Sequence, residues 1–325
     1  MLSEFELIDR YFYRPPRANG PVQLGIGDDC ALLLPPSGEL LAVSTDMLVE
    51  GRHFFAGANP HDLGHKVLAV NLSDLAAMGA QPIAFTLALA LPLADPTWLQ
   101  PFSEGLFQLA DAYGIELIGG DTTRGPLTIS ITVMGRVTKT DAIKRSGAQA
   151  GDELWVSGTL GDARLALEAL QGHRALSPEL LGKACERLHR PTPRVSLGLA
   201  LRGIASAAID VSDGLYGDLN HLLSQSSLAA TICADDLPLG EALASQPTDI
   251  RYAMALNGGD DYELCFSAST NQHQAVLAAA KHSKTNVTCI GKLDLGSGIQ
   301  VHDRKGAMVS ISNQSFDHFT ENLSS

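Results

Sequence analysis

Four apolar runs in this chain each break off at small residues followed by aspartate: Gly27-Asp28-Asp29, Ser44-Thr45-Asp46, Gly119-Gly120-Asp121 and Val211-Ser212-Asp213. Aspartate is a poor strand former and is seldom fully buried without a partner. A chain that repeats this break folds most simply as strands with acid at their ends. In α/β sheets, ligand sites gather outside the carboxyl ends of the strands. The stretch Leu24–Leu32 shows the pattern most sharply, because two glycines and two adjacent carboxylates interrupt an otherwise apolar run. Two readings fit any single break: a turn whose angles Asp and Gly supply, or one arm of a site. For all four together the site is the simpler account.

Convergent carboxylates repel one another and lose hydration, and that cost must be offset. Hard divalent cations with oxygen ligands do so, Mg²⁺ above all where phosphates share the site. Asp74 belongs to the same argument. It lies in Val70-Asn71-Leu72-Ser73-Asp74-Leu75-Ala76-Ala77-Met78-Gly79, an otherwise small and apolar helix. Asn71 and Asp74 are three apart, hence neighbours on one face. A metal or a basic side chain would each satisfy Asp74.

At 325 residues the chain is long for one hydrophobic core, so two domains are expected. The texture turns to Thr, Lys, Gly and Ala around 138–151, which places the boundary at 138/139. Strands and helices in both halves define an α/β (α+β) class. Helices are expected at 3–13, 61–79, 97–113, 178–188, 193–206, 236–245 and 271–282, with others after Asp162 and Asp213. Strands are expected at 39–45, 83–91, 115–118, 127–137, 154–156, 207–211, 229–233, 262–267 and 286–291, besides the two flanking Asp28 and Asp29.

A net charge of −13 argues against sequence-independent nucleic-acid binding. The five cysteines (30, 185, 233, 265 and 289) are scattered and never spaced C-x-x-C, which reads as reduced, mostly buried thiols. The N-terminus has no signal-peptide pattern, and the longest mainly apolar run, 83–94, is too short to span a bilayer. A cytoplasmic protein with no membrane partner is the expectation. Phosphate-binding loops of the G-x-x-x-x-G-K-[ST] type, kinase signature sets, G-x-G-x-x-G, H-E-x-x-H and G-x-S-x-G are all missing. If phosphate is handled here, acids and metals do it without a lysine-bearing loop.

The ordered set of motifs resembles the thiamine-monophosphate kinase family. It comprises Leu24-Gly-Ile-Gly-Asp-Asp-Cys-Ala-Leu, Ser44-Thr-Asp, Asn71-Leu-Ser-Asp-Leu-Ala-Ala-Met-Gly-Ala, Leu117-Ile-Gly-Gly-Asp-Thr-Thr-Arg-Gly, Asp210-Val-Ser-Asp-Gly-Leu, Gly258-Gly-Asp-Asp-Tyr-Glu-Leu and Phe316-Asp-His-Phe. The resemblance implies the two-domain fold shared with aminoimidazole-ribonucleotide synthetase, selenophosphate synthetase and a hydrogenase maturation factor. In that fold the N-terminal sheet forms a barrel across a homodimer, and a C-terminal α/β domain completes the active-site cleft. It implies ATP-dependent phosphorylation of thiamine monophosphate to thiamine diphosphate with several Mg²⁺ ions.

Residue by residue, the resemblance implies magnesium ligands at Asp29, Asp46, Asp74, Asp121 and Asp213, with an oxygen from Ser44 or Thr45 and Asp210 as a further metal or water ligand. Gly120, Asp121, Arg145 and Ser212 would lie along ATP. His53 would contact the substrate phosphate, and Phe316 would pack on the thiamine rings. Asp260 stands where the family carries a substrate-touching Glu, one methylene longer. Asp29, Asp121, Asp213 and Arg145 would be catalytic.

The chemistry accords with that set. A phosphate acceptor is already anionic, so no base is needed, and the barrier is repulsion between two anions. Direct in-line transfer without a phosphoenzyme is expected. Two alternatives remain at this stage. One is a relative with another acceptor, although residues 1–23 lack a reactive cysteine and the chain ends in Glu321-Asn-Leu-Ser-Ser. The other is a non-catalytic metal or nucleotide sensor.

Overall fold

The computed structural model describes residues 4–18, 20–27, 30–34 and 37–309. The chain divides into two compact units, Met1–Ala142 and Ile143–Ser325.

The first unit runs α1 (Glu4–Tyr11), β1 (Val22–Leu24), β2 (Leu32–Leu33), β3 (Glu39–Val49), α2 (Pro60–Ala77), β4 (Gln81–Leu91), α3 (Pro96–Tyr113), β5 (Glu116–Arg124) and β6 (Thr128–Thr138). Its main sheet has the order β3-β6-β4-β5, and β1 pairs with β2 separately. Asn59 caps α2 by accepting the His61 and Asp62 N–H groups. Asp95 caps α3, and Gly114 ends it at a φ of 68°. The two helices touch at paired glycines. A Cβ on Gly64 would lie 2.1 Å from the Phe102 carbonyl oxygen, and one on Gly105 would lie 1.9 Å from that of His61. Only glycine permits so close a crossing.

The second unit runs β7 (Glu153–Ser157), α4 (Asp162–Leu170), α5 (Pro178–His189), α6 (Val195–Ala200), β8 (Ala207–Val211), α7 (Leu215–Ser226), β9 (Leu228–Cys233), α8 (Glu241–Ala244), α9 (Thr248–Asn257), β10 (Glu263–Ala268), α10 (His273–Ser283), β11 (Val287–Leu295) and β12 (Gly298–His302). Its sheet order is β12-β9-β11-β7-β10-β8. Alternate residues of β7 and β8 (Leu154, Val156, Ile209, Val211) pack with the apolar sides of α4, α5, α7, α8 and α9 in one core. On the intervening positions Trp155 and Phe266 stack at 6.4 Å, and His273 of α10 meets Trp155 edge-on at 5.0 Å.

Several element boundaries differ from expectation. The strand expected to stop at Thr45 continues to Val49, because β6 pairs with it residue for residue from Glu39↔Thr138 to Val49↔Thr128. The short strand expected to stop at Ile118 continues to Arg124 in parallel register with β4. Asp46 and Asp121 therefore lie within strands, and among the described residues only Asp213 follows a strand end. The helix expected over 193–206 is α6 alone, and α9 lies where no element was expected. The five cysteines are free, but only Cys265 is buried and Cys30 is exposed. No helix of the described residues is long and apolar enough to cross a membrane.

Candidate active site

In the first unit the acids are placed by the alternation of β3. Ser44 and Asp46 face α2, and Thr45 faces the other way, where its Oγ1 lies 2.8 Å from that of Thr132. Ser44 Oγ donates to Asp74 Oδ2 at 2.5 Å. One turn earlier on α2, Asn71 Oδ1 accepts the Asp46 N–H at 3.1 Å, while its Nδ2 donates to the Val67 carbonyl. Ser130 Oγ donates to the Asp46 carbonyl from β6. The structure thus joins Ser44, Asp46 and Asp74 through α2 and leaves the Thr45 hydroxyl out of that group. Asn71 is a buried positioning residue, and its three-residue spacing from Asp74 is the signal for it.

Asp121 is exposed on β5, in register with Ala88. Gly120 before it has a φ of 149°, and a Cβ there would lie 1.8 Å from the Leu87 carbonyl oxygen. Side chains are excluded at this point, so the strand passes Asp121 with its backbone pressed against β4. His53 sits in the turn after β3. Its Nδ1 accepts the Val49 N–H at 3.0 Å, which leaves Nε2 as the donor of the neutral ring. Asp28, Asp29 and Phe316 lie outside the described residues.

In the second unit, Ser212 and Asp213 form the turn between β8 and α7. Both backbone N–H groups donate to Asp218 Oδ2, at 2.9 and 3.0 Å. Asp218, buried in the first turn of α7, was not singled out in the sequence; an Asp at this position in a helix's first turn is its only signal. Burial, and then the nearby charge of Asp213, pushes its carboxyl up to about 7, against the pull of two backbone N–H groups and Arg145. Arg145 lies in a 3-10 turn whose carbonyl accepts Ser226 Oγ at 2.7 Å. Asp210 is buried inside β8 opposite Leu264, not at the strand end.

The Asp218 proton carries a stability consequence. Its carboxyl ionises near 3.8 when unfolded and at about 7 when folded. As pH rises from about 4 to about 7 the unfolded chain loses this proton first, so stability falls across that window and the full cost is present above it. Asp218→Asn keeps an oxygen acceptor for both N–H groups and removes the titration. Urea unfolding should show the variant gaining on the wild type between about pH 4 and pH 7, by on the order of a few kcal/mol. Parallel pH curves for the two proteins would refute the assignment.

The second unit also contains a segment welded to this turn by backbone contacts. The Asp260 N–H donates to the Ser212 carbonyl and the Tyr262 N–H to the Val211 carbonyl, both at 2.8 Å. A Cβ on Gly259 would lie 2.5 Å from the Ser212 carbonyl oxygen, and one on Gly214 would lie 2.8 Å from the Asn257 carbonyl carbon. Behind the segment, the buried Asp261 carboxylate accepts the Gly161 N–H on both oxygens, at 2.9 and 3.0 Å. Burial pushes that carboxyl well above the usual range. Glu263 is wholly buried and accepts from Arg187, Arg194 and Ser157 at 2.5–2.7 Å. Within the motif Gly258–Leu264 only Asp260 was expected to act; Asp261 and Glu263 hold it in place. Among the described residues, no group of three or more His, Cys, Asp or Glu side chains is placed to hold a metal.

The two units correspond to two family models. Residues 27–137 match the AIR synthase related protein N-terminal domain and residues 149–304 the C-terminal domain. The chain is 46% identical to a thiamine-monophosphate kinase of Salmonella typhimurium, over 98% of each chain. The crystal structure of thiamine-monophosphate kinase from Stenotrophomonas maltophilia superposes with a TM-score of 0.85 at 47% identity, covering 95% of this chain and 98% of that one. A structure described as AaThiL complexed with AMPPCP and TMP superposes at 0.76 with 30% identity, covering 87% and 89%. The chain belongs to the thiamine-monophosphate kinase family, within the AIR synthase related proteins.

Proposed function

We propose that the protein phosphorylates thiamine monophosphate to thiamine diphosphate at the expense of ATP. The observation that carries this reading is the 46% identity over 98% of both chains. The AMPPCP and TMP bound to a 30% identical neighbour supply the two ligands. The separate acceptor and sensor alternatives have no comparable support.

The roles proposed for individual residues follow the family pattern. Of the proposed groups, residues 1–138 carry Asp29, Asp46, Asp74, Gly120 and Asp121, and residues 139–325 carry Arg145, Asp210, Ser212 and Asp213. Asp29, Asp46, Asp74, Asp121, Asp210 and Asp213, with an oxygen from Ser44 or Thr45, would supply oxygen donors of the kind Mg²⁺ takes. The adjacent Ser44 and Asp74 oxygens fit that chemistry. Magnesium, when bound by these residues, would supply charge screening for phosphoryl transfer. The chain's own groups bind and orient. His53 offers Nε2–H to the acceptor phosphate. Gly120 and Ser212 border ATP, and Arg145 holds charge on the transferring group. Asp260 and Phe316 receive the thiamine portion. No side chain is asked to remove a proton, since the attacking oxygen is already anionic at neutral pH. Two aligned phosphates held this way react in line without an enzyme-bound phosphate.

Coupled ADP release tests the reading. Release that requires both thiamine monophosphate and Mg²⁺ is expected. ADP release indifferent to thiamine monophosphate would overturn it.

A homodimer and a cytoplasmic location are part of the same proposal. The dimer is supported by β3, an edge strand whose outward positions Leu41, Val43 and Met47 are 42%, 58% and 56% exposed. Sedimentation should give twice the chain mass for the wild type and the chain mass for Val43→Asp. A monomeric wild type would sink the dimer.

A further inference from the structure

The segment Asp260–Glu263 alternates in what its side chains do. Asp261 and Glu263 point inward and are fastened to Gly161, Ser157, Arg187 and Arg194. Asp260 and Tyr262 are half-buried, and they meet one another: the Tyr262 hydroxyl donates to Asp260 Oδ1 at 3.1 Å. Both residues hold left-handed backbone, with φ of 68° and 51°. Such angles in non-glycine residues cost on the order of 1–3 kcal/mol each and persist where the surroundings over-determine them. Here the determinants are visible in the two N–H bonds to Ser212 and Val211 and the inward carboxylates on either side of Tyr262.

The strained backbone therefore has a result, which is that an Asp and a Tyr two residues apart along the chain come to share one hydrogen bond. An Asp free to rotate would present its carboxylate over a wide arc. Tied by Oδ1, the carboxylate is held in one orientation. Asp260 is one methylene shorter than the Glu its family pattern leads one to expect, so the direction of its reach matters more than it would for a longer side chain.

We propose that Tyr262 is a positioning residue that aims the Asp260 carboxylate at the cationic heteroaromatic portion of thiamine monophosphate, so that the pair sets affinity for this substrate and not for ATP. The inference rests on the reading of Asp260 as a substrate contact. A carboxylate held in place loses less freedom when a cation docks against it, and that difference enters affinity directly. Tyr262 itself need touch neither substrate.

The test is steady-state ADP release by the full-length protein, varying each substrate with the other saturating. The wild type, Tyr262→Phe, Asp260→Ala and the double variant are compared. Tyr262→Phe should raise KM for thiamine monophosphate about tenfold, the effect of one hydrogen bond to a charged group. Its kcat and its KM for ATP should stay within about twofold. In the Asp260→Ala background the same change should add nothing, because the group being aimed is gone. Asp260→Asn keeps the Tyr262 bond and removes the charge, so it too should raise KM for thiamine monophosphate with its melting temperature unchanged.

An unchanged KM in Tyr262→Phe overturns the inference while leaving the kinase reading intact. So does a rise shared equally by both substrates, or one that persists in the Asp260→Ala background. A wild type that releases no ADP in response to thiamine monophosphate defeats the kinase reading itself, and the inference with it.

Discussion

Asp121→Asn should lower kcat by about a thousandfold or more, the scale of removing a group that stabilises transferring charge or holds a catalytic cation. The fold should stay intact. Asp121 is exposed on β5, so exchanging its carboxylate for an amide leaves every buried contact in place. Exposed substitutions of this kind usually change stability by less than about 0.5 kcal/mol. A large loss of turnover with an unchanged melting curve would thus report chemistry alone. Asp29→Asn is expected to behave likewise in turnover. Near-normal rates for Asp121→Asn would remove it from the metal set.

Glu263→Gln should act on the opposite quantity. It leaves Arg187 and Arg194, only 18% and 17% exposed, facing a neutral amide at a wholly buried position. Breaking a buried ion pair by removing one partner costs about 3–5 kcal/mol, and the partial exposure of both arginines places this case at the lower end. The same change weakens the Ser157 contact, and with it the turn at Gly158, where a Cβ would lie 2.0 Å from Glu263 Oε1. Urea unfolding followed by Trp155 fluorescence in a Trp98→Phe background, which then reports the second unit, should show the loss. A shift under about 1 kcal/mol would mean that water replaces the lost charge at little cost.

The acidic residues proposed for the site stand out in the sequence, and their geometry was legible only where a local rule governed it. The Asn71–Asp74 spacing placed two polar groups on one helix face, and in the structure both meet β3. The helix expected to end at 113 does end there, because Gly114 takes the left-handed cap that glycine favours. The reading of Asp46 and Asp121 as strand ends failed for a non-local reason. An Asp interrupts an apolar run in sequence, but β6 and β4 supply ladder partners straight through it, and pairing overrides propensity. Asp218, Asp261 and Glu263 escaped notice for a related reason. Their partners lie far away along the chain or are backbone N–H groups, which leave no trace in spacing. Asp28, Asp29 and Phe316 lie outside the described residues and stand on the family resemblance.

The backbone contacts that join Ser212 and Gly214 to Asn257, Gly259 and Asp260 also limit how this protein can vary. With carbonyls and amides touching directly, neither loop can lengthen or shift unless the other moves with it. Substitutions in the two loops will therefore be non-additive: a change tolerated alone in one will become harmful, or harmless, according to what stands in the other. Distant in the chain, the two loops are bound into one structural unit.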